Sequence, residues 1–282
     1  MIIAGLCFVS MTGVIRGFLS EMNPFQAAFI RYVFGSILVI PIIIKLGFSG
    51  IRSSPIGLFA TRGIVHGIAV MLWFFSMTRI PVAEVSALGF TSTIFTIIGA
   101  IIFLKEPLYR YRIVAVLFGL TGTLLILRPG FKVIEIGTLA LLASAILTSC
   151  SLLMAKHLTR NQNNTTIIAF LSIFAMLALL PFAFAAWRTP NLSEIFWLLM
   201  TAILATTAHY AMNKAFTLAD ITSLQPIMFL QLIWATLLGL LIFDEHPDLW
   251  VWLGGAVIVI TATITSNHES RLQTNPKTKA ID

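Results

Sequence analysis

The chain has 282 residues, 58% of them hydrophobic, with 18 Lys and Arg and 11 Asp and Glu making up only 10% of the total. A soluble domain is roughly a quarter charged. Together with a mean hydropathy of +0.96, this composition excludes a soluble enzyme, a nucleic-acid binder and a disordered segment, and makes the lipid bilayer the first partner. The net charge of +7 and the pI near 9.8 then reflect Lys and Arg gathered in cytoplasmic loops, with no nucleic-acid partner implied. Cys7 and Cys150 lie inside apolar runs, which predicts neither a disulfide framework nor a metal site.

A membrane-crossing helix takes about 20 apolar residues, and the continuous runs here are twice as long as β-barrel strands. Ten spans are predicted, over 2–20, 24–46, 55–78, 82–104, 110–128, 133–156, 164–186, 194–216, 221–243 and 248–266. Their breaks carry Pro, Gly, Asn or charge, as at Asn23-Pro24, Ile80-Pro81, Pro129-Gly130 and Pro247-Asp248. The first run starts at Met1 with neither a basic front nor a small-residue cleavage site, and reads as a retained helix. Residues 267–282 read as a disordered tail. Gly119 and Gly122 in span five, and Gly254-Gly255-Ala256 in span ten, permit close helix contact. That contact lies within one subunit or in a homodimer; the sequence leaves both open.

With the N-terminus inside, inner loops and tail hold Lys45, Arg52, Lys105, Arg110, Arg112, Lys156, Arg160, Lys214, Arg271, Lys277 and Lys279. The outer loops hold Arg79, Arg128, Lys132 and Arg188. This bias predicts both termini in the cytoplasm, and the expected location is the cell inner (plasma) membrane.

Arg16, Arg31 and Arg62 remain within spans. A charge in hydrocarbon costs a few kcal/mol and usually faces protein or water. Arg31 lies seven residues past Pro24, roughly 10 Å along a helix; it is an anion clamp or a brace onto carbonyls of a neighbouring span. Arg62, at similar depth, is read as structural, snorkelling or paired. Arg16 either reaches the interface or turns inward.

An offset of 139 places Glu106 on Glu245 and Val82–Phe90 on Ile221–Phe229, while an offset of 140 places Pro41 on Pro181. Each half holds five spans, so the second enters the membrane from the opposite side. This is an inverted-topology repeat, a form associated with alternating access to one central site. The expected fold is an all-α integral membrane protein of ten transmembrane helices, as two inverted five-helix repeats over 1–128 and 133–266 around a central cavity.

The stretches Ile80–Pro107 and Ala219–Pro247, with Phe29-Ile30-Arg31-Tyr32 and Thr61-Arg62-Gly63, resemble those of the drug/metabolite transporter superfamily, in its EamA-like branch of ten-helix proteins. The resemblance covers essentially the whole chain. It implies two interleaved halves, with spans 1, 3, 4, 6, 8 and 9 lining the cavity and 5 and 10 more peripheral. It also implies secondary transport of small organic metabolites such as amino acids, nucleotide-like compounds, vitamins and drugs. Proteins of similar appearance take up S-adenosylmethionine or riboflavin, or export amino acids. No Gly-rich phosphate loop is present.

The substrate-binding candidates are Arg31 in span two and, on the lining spans, His66, Trp73, Phe90, His209, Tyr210, Asn213, Gln225, Phe229, Gln231 and Trp234. Aromatic walls with a few polar groups suit a planar metabolite. His209 aligns with Val70, one turn beyond His66, so the two imidazoles share one face of equivalent helices. Glu84, at the outer start of span four, is the candidate for proton coupling, since a partly desolvated carboxylate exchanges a proton near neutral pH. Glu106 and Glu245, the family's recurring acids, are expected as structural loop anchors. Pro226 frees a backbone carbonyl within span nine.

No metal, cofactor or catalytic constellation is expected, so the chain is read as no enzyme. The expected function is secondary active transport of a small-molecule substrate by alternating access, proton-coupled or exchange. The alternatives are a non-transporting scaffold or receptor, and a polyspecific exporter.

Overall fold

A computed structural model describes residues 1–52, 54–80, 85, 88–89, 91–105, 110–127, 135–185, 187–228, 230–244, 249–250, 252–257, 260–261 and 264. Among these, the regular elements are helices: α1 (Ile2–Phe18), α2 (Pro24–Arg52), α3 (Ile56–Met77), α4 (Thr91–Leu104), α5 (Arg110–Leu127), α6 (Ile136–Leu158), α7 (Asn164–Ala185), α8 (Leu192–Leu218), α9 (Ile221–Met228) and α10 (Gln231–Phe243). Residues 249–250 and 252–257 are helical as well. The Pro24–Pro41 part of α2, and α3, α6, α7 and α8, are long and apolar enough to cross a bilayer. Large apolar side chains such as Ile102, Phe103, Leu241 and Ile242 point outward, which is stable where the surroundings are lipid tails.

Local chemistry sets the ends of these helices. Asn23 Oδ1 accepts from the backbone N–H groups of Phe25 and Gln26, and Pro24 supplies a preset φ at the first helical position. Gln26 and Arg188 then exchange side-chain and backbone hydrogen bonds, tying the start of α2 to the α7–α8 connection. α8 opens with a capping box between Asn191 and Glu194, and the same Glu194 carboxylate takes both arms of Arg188.

The run expected to end at residue 46 does so at Gly47, where φ 66 and ψ 173 leave the helix. Span nine is described as α9 and α10, with Phe229 between them outside the described residues. α4 and α10 both stop on a non-glycine residue in the left-handed region, Lys105 at φ 55 and Asp244 at φ 52.

Packing interleaves early and late helices. α1 lies along α8, α3 along α6 and α7, α2 along α7, and α4 along α6. In hydrocarbon there is no hydrophobic drive between helices, so small residues and interhelical polar bonds carry the association. A Cβ on Gly63 would fall 2.3 Å from Phe174 Cβ, and one on Gly67 would fall 3.2 Å from the Ala175 carbonyl; this pair lets α3 approach the α7 backbone. Ser144 donates to the Ala69 carbonyl at 2.7 Å, and Ser76 to the Gly137 carbonyl at 2.8 Å. These two bonds fix α3 and α6 antiparallel.

Candidate functional site

Two helix pairs face each other across the middle of the molecule. α1 with α8 forms one side and α3 with α6 the other, while α1 hardly touches α3 and α6 hardly touches α8. Between the pairs lies a cavity of about 190 Å³. Phe8 and Thr12 of α1, His66, Val70 and Trp73 of α3, Leu141, Ser144 and Thr148 of α6, and His209 and Met212 of α8 line it, with Arg31 entering from α2, Ser92 and Thr93 from α4, and Gln231 from α10.

Positions related by the repeat offsets face the cavity together. Phe8 pairs with Thr148, Thr12 with Leu152, Trp73 with Met212, Val70 with His209 and Ser92 with Gln231, all lining residues. Lys105 and Asp244, the two left-handed helix stops, are also 139 apart.

At the centre, the His66 and His209 rings meet edge to face with centroids 5.0 Å apart. Phe8 stacks edge-on against His209 at 5.4 Å, and Tyr32 against His66 at 6.4 Å. The Arg31 guanidinium sits over the Tyr32 ring at 3.8 Å, a cation–π geometry. The side chains thus form a continuous run from Arg31 through both histidines to Phe8. Among the described residues, Arg31 Nε, both ring nitrogens of His66, His209 Nδ1 and Gln231 Nε2 are buried without a hydrogen-bond partner. Buried polar groups are normally paired; these belong to cavity-lining residues, while others, such as Arg62 Nε and the Asn213 amide, lie elsewhere.

Of the candidates from the sequence, Arg31, His66, Trp73, His209 and Gln231 are brought together in this cavity. Tyr210 and Trp234 are 48% and 37% exposed and are not among its lining residues. Asn213 is fully buried, with neither amide atom partnered, also away from the lining. Gln225 and Pro226 fall within α9, with side chains outside the described residues; Glu84, Phe90, Glu106, Phe229 and Glu245 lie outside the described residues altogether. No cluster of His, Cys, Asp and Glu suited to a metal occurs among the described residues.

The three intramembrane arginines have distinct fates. Arg62 is buried and donates to the Ile167 carbonyl on α7 at 3.3 Å, a pairing with protein and not a reach towards headgroups. Arg16 donates through Nη1 to the Ile80 carbonyl just beyond α3, at 3.2 Å. Lys156, an inner-loop cation in the charge tally, donates to the carbonyls of Phe216 and Ala219 at 2.8 and 2.7 Å. The offset of 140 that aligns the prolines also places Arg16 on Lys156, so the sequence relates the two cations although it does not name their acceptors.

Helices of this length around a central cavity define a multi-pass membrane protein. The chain belongs to the EamA-like transporter family, whose pattern it matches at residues 1–128 and again at 135–267. It is 26% identical over 262 residues to an S-adenosylmethionine uptake transporter of Rickettsia prowazekii, covering 89% of each chain. It is 29% identical over 280 residues to a riboflavin transporter of Rhizobium johnstonii, covering 98% of this chain and 92% of that one. A riboflavin transporter of Brucella anthropi is 30% identical over 243 residues, with 82% and 84% covered. A solved crystal structure superposes with a TM-score of 0.74 over 95% of this chain and 97% of its own, at 19% identity, a likeness of fold.

Proposed function

We propose that the chain is a secondary carrier of a small planar metabolite, moving it through the central cavity by alternating access. The observation that carries the reading is the cavity itself, lined from both halves by residues at equivalent positions and crossed at its centre by His66 and His209. The twofold match to the family and the symmetric pairing of α1 with α8 and α3 with α6 support an inverted repeat over 1–128 and 133–266. Such repeats expose one midplane site to each face in turn.

Charged and amide donors reach the ligand space, beside the neutral imidazoles of His66 and His209, which each bring one donor and one acceptor nitrogen. Arg31 offers a guanidinium and Gln231 an amide N–H, whereas the Thr12 and Ser144 hydroxyls already donate to backbone carbonyls. No carboxylate stands among the described lining residues. This favours an acceptor-rich ring such as riboflavin, whose isoalloxazine carries carbonyl oxygens along one edge, over the sulfonium cation of S-adenosylmethionine. Glu84 couples transport to protons in this reading. The protein sits in the inner membrane with both termini cytoplasmic.

Purified protein in liposomes tests the proposal with radiolabelled riboflavin and S-adenosylmethionine. Riboflavin flux should saturate and be accelerated by riboflavin on the opposite side. Saturable flux of S-adenosylmethionine alone would reverse the substrate assignment, and no flux of either solute under any gradient would favour a scaffold.

A further inference from the structure

The cavity is bridged from one helix pair to the other near both of its ends, by a cation in each case. Arg16, in the last turn of α1, donates to Ile80 beyond the end of α3. Lys156, in the last turn of α6, donates to Phe216 and Ala219 at the end of α8. α1 and α8 form one wall and α3 and α6 the other, so both contacts cross between walls that otherwise hardly touch through these partners.

The two bridges lie at opposite faces. α1 and α3 finish together, as the Arg16 contact requires. The Ser76–Gly137 bond places the start of α6 at that same face, so Lys156 and the end of α8 lie at the other. At the Lys156 bridge the acceptors are the last-turn carbonyl of Phe216 and the C-cap carbonyl of Ala219, which lack intrahelical partners and carry the negative end of the helix dipole; at the Arg16 bridge the acceptor is Ile80, in the turn just past α3. Residues 16 and 156 are 140 apart, while Ile80 and Ala219 are 139 apart: the same contact is made once in each half, facing opposite ways.

We infer that Arg16 and Lys156 are a matched pair of latches, each holding one mouth of the cavity closed, so that their relative strength sets which face the carrier opens to. The inference rests on the alternating-access reading above. A brace of purely structural use would stabilise both orientations alike; a latch at one mouth stabilises only the states closed on that side.

The test reads accessibility at both mouths. Thr12 and Leu152 line the cavity one turn inside the two latches and are themselves equivalent positions. Each is made the sole cysteine, with Cys7 and Cys150 replaced by Ser, and labelled with a membrane-impermeant maleimide in sealed vesicles of either orientation. Arg16→Gln should raise labelling at position 12 from its own side and lower labelling at 152 from the other, each by roughly tenfold, the scale of one charge-assisted hydrogen bond. Lys156→Gln should shift the two positions the opposite way, and Arg16→Lys and Lys156→Arg should restore the parental ratio. If a glutamine variant fails to fold, Arg16→Met and Lys156→Met keep the aliphatic stem and give the same reading.

Shifts in one common direction, or none, would overturn the latches. Flux of riboflavin and of S-adenosylmethionine by the unmodified protein is measured in parallel. Reciprocal labelling without flux would remove the transport reading and leave the latches, whereas saturable flux with unshifted labelling would remove the latches alone.

Discussion

His66 of α3 and His209 of α8 come from opposite walls of the cavity and touch at its centre, ring against ring at 5.0 Å. In a carrier that moves its solute between these walls, the two imidazoles must part to admit it. Replacing either with Gln should weaken riboflavin binding by about tenfold, and the double variant should lose less than the sum, with a coupling of roughly 0.5–3 kcal/mol typical of residues in contact. Ligand-induced thermal shifts of the purified variants measure this; strict additivity would place the two rings in separate roles.

Arg31 is held over the Tyr32 ring with its Nε unpartnered. Arg31→Lys keeps the charge and loses the planar fork that recognises paired acceptors. The expected result is a KM for riboflavin raised about tenfold, worth about 1.4 kcal/mol, with expression unchanged. Full activity in the Lys variant would show that a point charge suffices.

The α3–α7 contact depends on a missing side chain. Gly63→Ala places a methyl 2.3 Å from Phe174 Cβ and should destabilise by about 1–3 kcal/mol, as overpacking does. Gly57→Ala, with nothing within 4 Å of the added carbon, serves as the control. Thermal unfolding in detergent compares the two, and equal midpoints would mean that the helices separate without penalty.

Glu84→Gln should reduce proton-driven flux more than solute exchange, because exchange requires no net proton release. Equal loss in both assays, or in neither, removes Glu84 from coupling.

Tags on both termini should be protected from outside reagents in sealed right-side-out membranes. Labelling of either one would contradict the orientation drawn from the Lys and Arg bias.

Hydropathy made most helices legible because a bilayer imposes one long apolar run per crossing. The histidine pair was legible too, since offset and helical period together put His66 and His209 on equivalent faces. Side-chain direction was harder. Tyr210 adjoins His209, yet one step around a helix turns roughly 100°, and the first is 48% exposed while the second is 7% exposed. Asn213 shares the His209 face one turn on but is packed away from the lining. The Arg16 and Lys156 contacts escaped the sequence reading because their acceptors are backbone carbonyls, which carry no residue signature. A cation near a span end counts as a loop charge until the helix end beside it is known.

The Arg62 contact also bears on how the protein is made. Its acceptor, Ile167, lies 105 residues downstream, so at roughly 5–20 residues per second the ribosome needs about 5 to 20 seconds to deliver the partner. During that interval the nascent α3 holds a guanidinium within the bilayer, and its Gly63–Gly67 face has no α7 to lie against. The first half of the chain must therefore linger beside the insertion machinery, or at the lipid–water boundary, until α7 emerges. Truncation before Asn164 would leave a membrane segment suited to quality-control proteolysis.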